Sequence, residues 1–148
     1  MKKLIYVLVA VATLAFVGCS KDDETPTPEN IAGSWEVYKA YWEEEFEEEG
    51  EKVSDKYWEH YDAGEEIYTF ETNGIFSLSM ESDWDGDNYS GTYTINGKTL
   101  TLVYGPSADI GTKIYTIKSL LANELVLIEK DEGDDYKAYG EIYLKRIK

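Results

Sequence analysis

The feature that most constrains the fold is a two-residue alternation of apolar and polar side chains. It runs through residues 76–80, 89–95 and 100–104. Such alternation is typical of β-strands that have one buried and one exposed face. Further strands are predicted over residues 113–120, 124–130 and 136–147. Since no long helical pattern separates these segments, we predict an all-β fold of antiparallel strands.

Two Asn-Gly pairs mark turns between the predicted strands. Asn73-Gly74 and Asn96-Gly97 each separate two alternating segments, and Asn-Gly readily takes the positive φ angles of a tight hairpin. A third turn, over residues 83–88, is longer and acidic. An antiparallel meander removes its exposed edges when it closes, so we predict a barrel of about eight strands.

One acidic segment, residues 43–62, follows the alternation less clearly. Seven glutamates lie between positions 43 and 51. A mobile loop, a short helix and a ragged strand pair are all compatible with this composition. We favour a long hairpin with an acidic tip and a strand near residues 53–61.

The first 18 residues have the pattern of an export signal. Lys2 and Lys3 precede an apolar run over residues 4–17, and Gly18 follows it. A charged start, a short apolar core and a small residue before the cleavage point are typical of a signal peptide. A run of about 14 residues is shorter than the roughly 20 that a membrane-spanning helix needs. A short anchor that stays attached is the alternative.

Cys19 is the only cysteine and stands where this signal ends. Residues 16–19 resemble a lipobox, with phenylalanine where leucine is usual. We therefore expect lipidation of Cys19 and attachment of the protein to a membrane, because acyl chains contribute about 0.8 kcal/mol per buried methylene. Residues 19–30 are acidic and rich in Pro and Thr, which predicts an extended, flexible tether about 30 Å long. Residues 21–24, Lys-Asp-Asp-Glu, resemble the acidic tags that send some lipoproteins to the outer face of the outer membrane, with its periplasmic face as the alternative.

The charge of the chain excludes one class of partner. It has 30 acidic and 14 basic side chains, a net charge of −16. Cleavage after residue 18 would remove Lys2 and Lys3 and leave 12 basic side chains, for a net charge of −18. Such a surface repels phosphate backbones, so we expect no nucleic-acid binding. We expect a monomer that contacts the membrane through its lipid.

Catalytic and metal-binding groups are sparse. His60 is the only histidine, no serine stands in a nucleophile motif, and zinc sites need clustered His and Cys. Oxygen ligands for calcium are available around Gly86, but their order differs from an EF-hand and favours a solvated hairpin tip: Asp83, Asp85, Asp87 and Asn88. A catalytic pair would need two carboxylates in a pocket, whereas the strand glutamates fall on the polar phase: Glu36, Glu71, Glu81 and Glu141. We predict no enzyme activity, metal or cofactor.

Gly33-Ser34-Trp35 stands at the head of the first predicted strand, and Arg146 stands late in the last. A Gly-x-Trp followed by a β-meander and a late basic residue resembles the lipocalin, or wider calycin, pattern over residues 31–148. The resemblance implies that Trp35 plugs the closed end of a barrel. It also implies that Arg146 packs across the indole as a cation–π contact. Gly33, Trp35 and Arg146 would then be structural.

Two functions are compatible with this resemblance. The first is binding of a small apolar or amphipathic ligand inside the barrel. Strand phase assigns the inward-facing residues as Tyr38, Phe70, Phe76, Leu78, Met80, Tyr93, Leu102, Tyr115 and Ile117. The alternative is a surface module with a solid barrel that binds a glycan or a partner protein through aromatic side chains on one rim. The rim residues would be Trp42, Trp58 and Trp84.

Overall fold

The computed structural model describes residues 23–81, 87–106, 108–133 and 135–148. A short helix, α1, precedes nine strands. The elements are α1 (Pro28–Ile31), β1 (Gly33–Glu48), β2 (Glu51–His60), β3 (Glu66–Phe70), β4 (Ile75–Met80), β5 (Asp87–Asn96), β6 (Thr99–Tyr104), β7 (Thr112–Leu120), β8 (Glu124–Glu132) and β9 (Tyr136–Arg146). Within the described ranges, no helix is long and apolar enough to cross a membrane.

All strand pairs are antiparallel, and β9 returns to pair with β1. Strands β1 and β3 to β9 therefore form a closed eight-stranded barrel, and β2 is an additional strand on the edge of β1. The predicted all-β barrel is confirmed. Closure pairs the polar backbone groups of the first and last barrel strands, which would otherwise be exposed edges.

Strand β1 is long enough to serve two neighbours on the same edge. Residues 33–36 pair with β3, whereas residues 39–48 pair with β2. The favoured hairpin in segment 43–62 is thus present, and it turns at Glu49 and Gly50, which both have positive φ. Two consecutive positive φ values are typical of a type I′ turn. Because β9 follows β1 along residues 35–46, the hairpin extends the wall of the barrel on one side.

Both Asn-Gly pairs lie in turns, as predicted. Only the glycines have positive φ, 85° at Gly74 and 59° at Gly97. Asn96 pairs with Thr99, so the second turn is a two-residue loop with glycine in its first position, the pattern of a type II′ turn. Of the third predicted turn, residues 83–86 lie outside the described ranges.

Trp35 and Arg146 meet at the closed end of the barrel. The Trp35 ring is fully buried, and its Nε1 donates to the Ile31 carbonyl at 2.7 Å. The Arg146 guanidinium carbon lies 4.1 Å from the centre of that ring. The guanidinium also donates to the backbone carbonyls of Asn30, Ala32 and Ala122. Arg146 therefore ties the end of β9 to α1 and to the β7–β8 turn.

Gly33 makes room for this contact. Its φ of 126° lies in a region that side chains rarely adopt. A Cβ atom here would collide with the Lys148 carbonyl and with Arg146 Nη1. The glycine thus permits the close approach of the first strand to the chain end, and Ser34 N donates to the Lys148 carbonyl at 2.9 Å.

Residues 27–31 form a helical turn where we expected an extended tether. Thr27 caps it by accepting from Asn30 N at 3.2 Å, and Pro28 occupies the first turn. A threonine cap followed by proline favours a helix start. The turn is held in place by Ile31, which is fully buried in the core.

Residues before this helix also contact the domain. Glu24 N donates to the Leu120 carbonyl at 2.6 Å, and the Ser119 hydroxyl donates to Asp23 at 2.7 Å. The predicted tether over 19–30 is therefore wrong from residue 23 onward. Residues 19–22, including Cys19, lie outside the described ranges.

The first prediction concerns the closed end. Arg146→Lys keeps the charge but loses the planar fork that reaches three carbonyls, so we expect the free energy of unfolding to fall by about 2 kcal/mol. Urea denaturation of both proteins measures the difference. Lys130→Ala, at an exposed position of β8, is the control and should change stability by less than about 0.5 kcal/mol. Equal stabilities of the two variants would contradict a structural role for Arg146.

Candidate ligand-binding site at the open end of the barrel

The interior of the barrel changes from apolar to acidic along its axis. On β8, Leu125 and Leu127 are buried in the core, and Glu129 and Asp131 continue the same phase towards the open end. On β3, Phe70 and Tyr68 are buried, and Glu66 follows them. Since alternate residues of a strand share one face, these acids point to the same side as the core. The open end is therefore a polar mouth above an apolar base.

Seven residues from the predicted inward set lie in the packed base and middle of the barrel. Each is at most 5% exposed: Phe70, Phe76, Leu78, Tyr93, Leu102, Tyr115 and Ile117. Their rings contact one another; Phe70 and Tyr93, for example, have centroids 5.1 Å apart. Met80 shares their phase but lies at the rim, 38% exposed. These side chains occupy the interior themselves, as in other small barrels, and their contact with a ligand stays a prediction.

The inward assignment of Tyr38 is wrong. A β-bulge between Val37 and Lys39 shifts the register of β1 against β9, and a bulge adds one residue to a strand. The inward position after Val37 therefore passes to Ala40, which is fully buried. The Tyr38 hydroxyl instead donates to Glu124, 3.4 Å away on the outer face.

A layer of tyrosines separates the apolar base from the mouth. Tyr68 of β3, Tyr104 of β6 and Tyr115 of β7 are buried inside the barrel, and the Tyr68 hydroxyl interacts with the other two. Burial raises the pKa of Tyr104 to about 12 and shifts the pKa of Tyr68 and Tyr115 upward as well. All three are therefore neutral at physiological pH.

An open pocket of about 330 Å³ lies at the mouth. Its volume falls within the roughly 300–1,000 Å³ of small-molecule sites. The pocket lies between the β1–β2 hairpin and strands β7 to β9, and its lining residues are Trp42, Glu44, Tyr57, Glu59, Lys113, Glu129, Asp131, Tyr136 and Ala138. It combines aromatic walls with several carboxylates.

Two of these carboxylates are oriented by neutral donors. Glu59 accepts from Trp42 Nε1 at 3.2 Å and from the Tyr61 hydroxyl at 2.9 Å. Glu44 accepts from the Tyr57 hydroxyl at 3.1 Å. Neutral donors fix the direction of a carboxylate without cancelling its charge. The pocket therefore holds two positioned negative charges.

The remaining lining charges leave the pocket strongly negative. Lys113 forms an ion pair with Glu129, and Asp131 adds a further carboxylate, so four carboxylates face one ammonium group. A concavity of about 340 Å³ on the outer face of the same strands provides a contrast. Its charges balance: Glu43, Glu45 and Glu132 against Lys56, Lys130 and Lys137. Of these two concavities, only the one on the inner face of the hairpin has an excess of acids.

Glu66 adds a half-buried carboxyl group at the edge of this mouth. Its burial raises its pKa, and the nearby charges of Glu59 and Glu129 act in the same direction. The Tyr68 hydroxyl opposes this by hydrogen bonding. Ionisation of Glu66 therefore lowers the stability of the folded protein as the pH rises.

The tryptophans proposed as one rim lie on two faces. Trp42 pairs with Tyr57 and faces the mouth, where its ring covers Gly140 so closely that a Cβ there would collide with it. Trp58 pairs with Tyr41 and faces the outer wall, 51% exposed. Residues on adjacent phases of paired strands cannot share a face, so a common rim is wrong. Trp84 lies outside the described ranges.

Two of the strand glutamates expected in solvent are held on the outer wall. Glu36 is 6% exposed and accepts from Gly64 N at 2.6 Å and from Lys145 Nζ at 2.7 Å. Hydrogen bonding from Lys118, followed by that from neighbouring tyrosines, lowers the pKa of Glu141 to about 2. Both are ionised partners of lysines, and neither lies in the pocket.

Among the described residues, His60 and the acids considered as calcium ligands do not come together in one site. His60 is exposed at the end of β2. Within the described part of the chain, no three His, Cys, Asp or Glu side chains are arranged to hold a metal ion. Asp83 and Asp85 lie outside that part, and Asp87 and Asn88 begin β5.

The family model agrees with this architecture. Residues 31–127 match the family model of the lipocalin-like domain, and the chain therefore belongs to that family. Its fold is similar to a lipocalin-like protein from Bacteroides uniformis ATCC 8492, at 17% identity and a TM-score of 0.51, over 80% of this chain and 99% of that one. An uncharacterized protein from Bacteroides eggerthii DSM 20697 aligns at 13% identity and a TM-score of 0.48, over 78% and 98% of the two chains. No curated protein matches the sequence.

The second prediction follows from the raised pKa of Glu66. The folded pKa exceeds the unfolded value of 4.5, so the wild-type protein loses stability as the pH rises through the interval above 4.5. Glu66→Gln removes this loss. We expect the variant to be more stable than wild type at pH 7, with a smaller advantage at pH 4, as measured by urea unfolding. Exposed Glu45→Gln is the control; a pH-independent effect of Glu66→Gln would rule out the electrostatic explanation.

Proposed function

We propose that this protein is a membrane-anchored, non-enzymatic lipocalin-like lipoprotein that binds a small amphipathic ligand at the open end of its barrel. The observation that carries the proposal is the pocket of about 330 Å³ with aromatic walls and oriented carboxylates. Membership of the lipocalin-like family supports ligand binding in general.

The packed interior determines where such a ligand would lie. Core side chains fill the base of the barrel, so the ligand would lie in the pocket at the mouth rather than among the core side chains. Trp42, Tyr57 and Tyr136 supply apolar ring surface, and the acids supply polar contacts. A molecule with an apolar body and a polar end fits this division better than a wholly apolar lipid.

The sequence supports the membrane anchor. Cys19 follows an export signal, and residues 21–24 carry the acidic pattern that favours the outer membrane and the cell surface. Asp23 contacts the closed end of the barrel through Ser119. Only four residue steps separate Asp23 from Cys19, and four residues span at most about 14 Å. On this proposal the closed end faces the membrane and the mouth faces away from it.

The third prediction tests the anchor. Cys19→Ala removes the acylated sulfur, so we expect it to abolish labelling with radioactive palmitate and to remove the protein from the lipoprotein fraction. The measurement is palmitate labelling followed by membrane fractionation. Ser20→Ala changes the adjacent residue and should leave labelling unchanged. Persistent label on the Cys19→Ala protein would refute lipidation at this position.

The fourth prediction tests the pocket. Ala138 lines the pocket, so Ala138→Trp should fill the space and lower the affinity for any ligand of the mouth about tenfold or more. The measurement is the shift in Tm produced by a panel of apolar, cationic, anionic and sugar compounds. Thr116→Trp, at an exposed outward position of β7, is the matched control. If no compound stabilises wild type more than the Ala138→Trp protein, the mouth is not a ligand site.

A second candidate function rests on the outer wall. The exposed Trp58 ring lies 5.1 Å from the Tyr41 ring, and Lys39 Nζ lies 5.0 Å from the Trp58 centroid. Aromatic rings with polar neighbours can stack on a glycan or contact a partner protein. Trp58→Ala would abolish that binding and leave the mouth intact, the opposite of Ala138→Trp.

A further inference from the structure

We propose that the mouth pocket selects organic cations, with an ammonium group attracted by the carboxylates of Glu44 and Glu59, which lie on either side of the Trp42–Tyr57 pair, and an apolar body against Trp42 and Tyr57. This inference rests on the proposed function, because it names the ligand class of the same pocket. It depends on three features of the lining: its net charge, the way its carboxylates are held, and the position of its aromatic rings.

The charge of the lining separates cations from anions. Four carboxylates and one lysine line the pocket, and that lysine is already paired with Glu129. The lining tyrosines are subject to the same field: after burial, the carboxylates of Glu44, Asp131 and Glu129 raise the pKa of Tyr136. An anionic ligand would be repelled by this field, whereas a cation would be attracted by it.

The carboxylates keep free acceptor capacity. Glu44 accepts one hydrogen bond from Tyr57, and Glu59 accepts two on the same oxygen, from Trp42 and Tyr61. An ionised carboxylate offers about four acceptor positions. The remaining positions are available to an ammonium group, which donates three hydrogen bonds and accepts none. A neutral alcohol gains less here because hydrogen bonds between two ionised groups are the stronger ones.

The aromatic rings add a second element of cation recognition. Trp42 is held by its Nε1 contact to Glu59 and by the close fit of its ring on Gly140, so its position does not depend on a ligand. Indole is the best aromatic partner for a cation. A ring that is fixed in advance also lowers the entropy lost on binding. The outer concavity has balanced charges, and its lining includes Tyr139 but no tryptophan.

The experiment compares three probes that share one body and differ in charge: 4-phenylbutylamine, 4-phenylbutyrate and 4-phenylbutanol. The full mature lipoprotein is held in phosphatidylcholine nanodiscs, and empty discs provide the blank. Affinities come from the change in tryptophan fluorescence. We expect the amine to bind about tenfold more tightly than the alcohol, and the carboxylate more weakly than both.

Two variants and one control assign the effect to the pocket. Glu44→Gln and Glu59→Gln keep the shape of each side chain and remove its charge. Each variant should therefore lower the affinity for the amine about three- to tenfold and the affinity for the alcohol less than about twofold. Glu45→Gln removes an equal charge from the outer face of β1 and should change neither affinity. Raising the salt concentration from about 0.05 to about 0.5 M should lower the affinity for the amine and leave the affinity for the alcohol unchanged.

The outcomes separate this inference from the proposed function. Equal affinities for the three probes, absence of amine binding, or a Glu45→Gln effect as large as that of Glu44→Gln would each overturn cation selectivity. The proposed function depends instead on whether Ala138→Trp removes binding of any compound class. Tight binding of the alcohol or the carboxylate that Ala138→Trp abolishes would therefore retain the ligand site and reject the cation.

Discussion

The antiparallel pairing of β1 with β9 is the constraint on which the rest of the structure depends. It joins the two ends of the meander, and the stack of Arg146 on Trp35 fixes it at the closed end. The guanidinium extends the same junction to α1 and the β7–β8 turn by reaching their carbonyls. Loss of this junction would expose two strand edges and open the core.

Closure at one end leaves the other end free to specialise. The side chains that point inward change from Leu and Phe at the base, through tyrosine, to glutamate and aspartate at the mouth. The long β1 carries the inner wall beyond the barrel rim and brings β2 to its side. An apolar base thus supports an acidic, aromatic pocket, and at the edge of the mouth burial raises the pKa of Glu66.

The alternation and the turns predicted most of the fold because both are local properties. Strands near 113–120 and 124–130, the hairpin after residue 43 and the glycine turns follow from period and φ preference alone. The sequence also contained a signal for the mouth. Glu129 and Asp131 continue the inward phase of Leu125 and Leu127. From the sequence alone such acids are assigned to solvent, because the depth at which the barrel opens is unknown.

Other features depended on contacts between distant residues. The bulge that turns Tyr38 outward arises where β1 meets β9, and residues 23–31 are ordered by the Leu120 carbonyl and the barrel base. By itself the sequence determined the strand period, the turns, the acidity and the Gly33-x-Trp35 signature, since these lie within a few residues of chain. Only the tertiary structure decided that Trp42 and Trp58 separate, and that carboxylates from β1, β2 and β8 meet in one pocket. Register and closure set these positions, and both are properties of strands paired across the whole barrel.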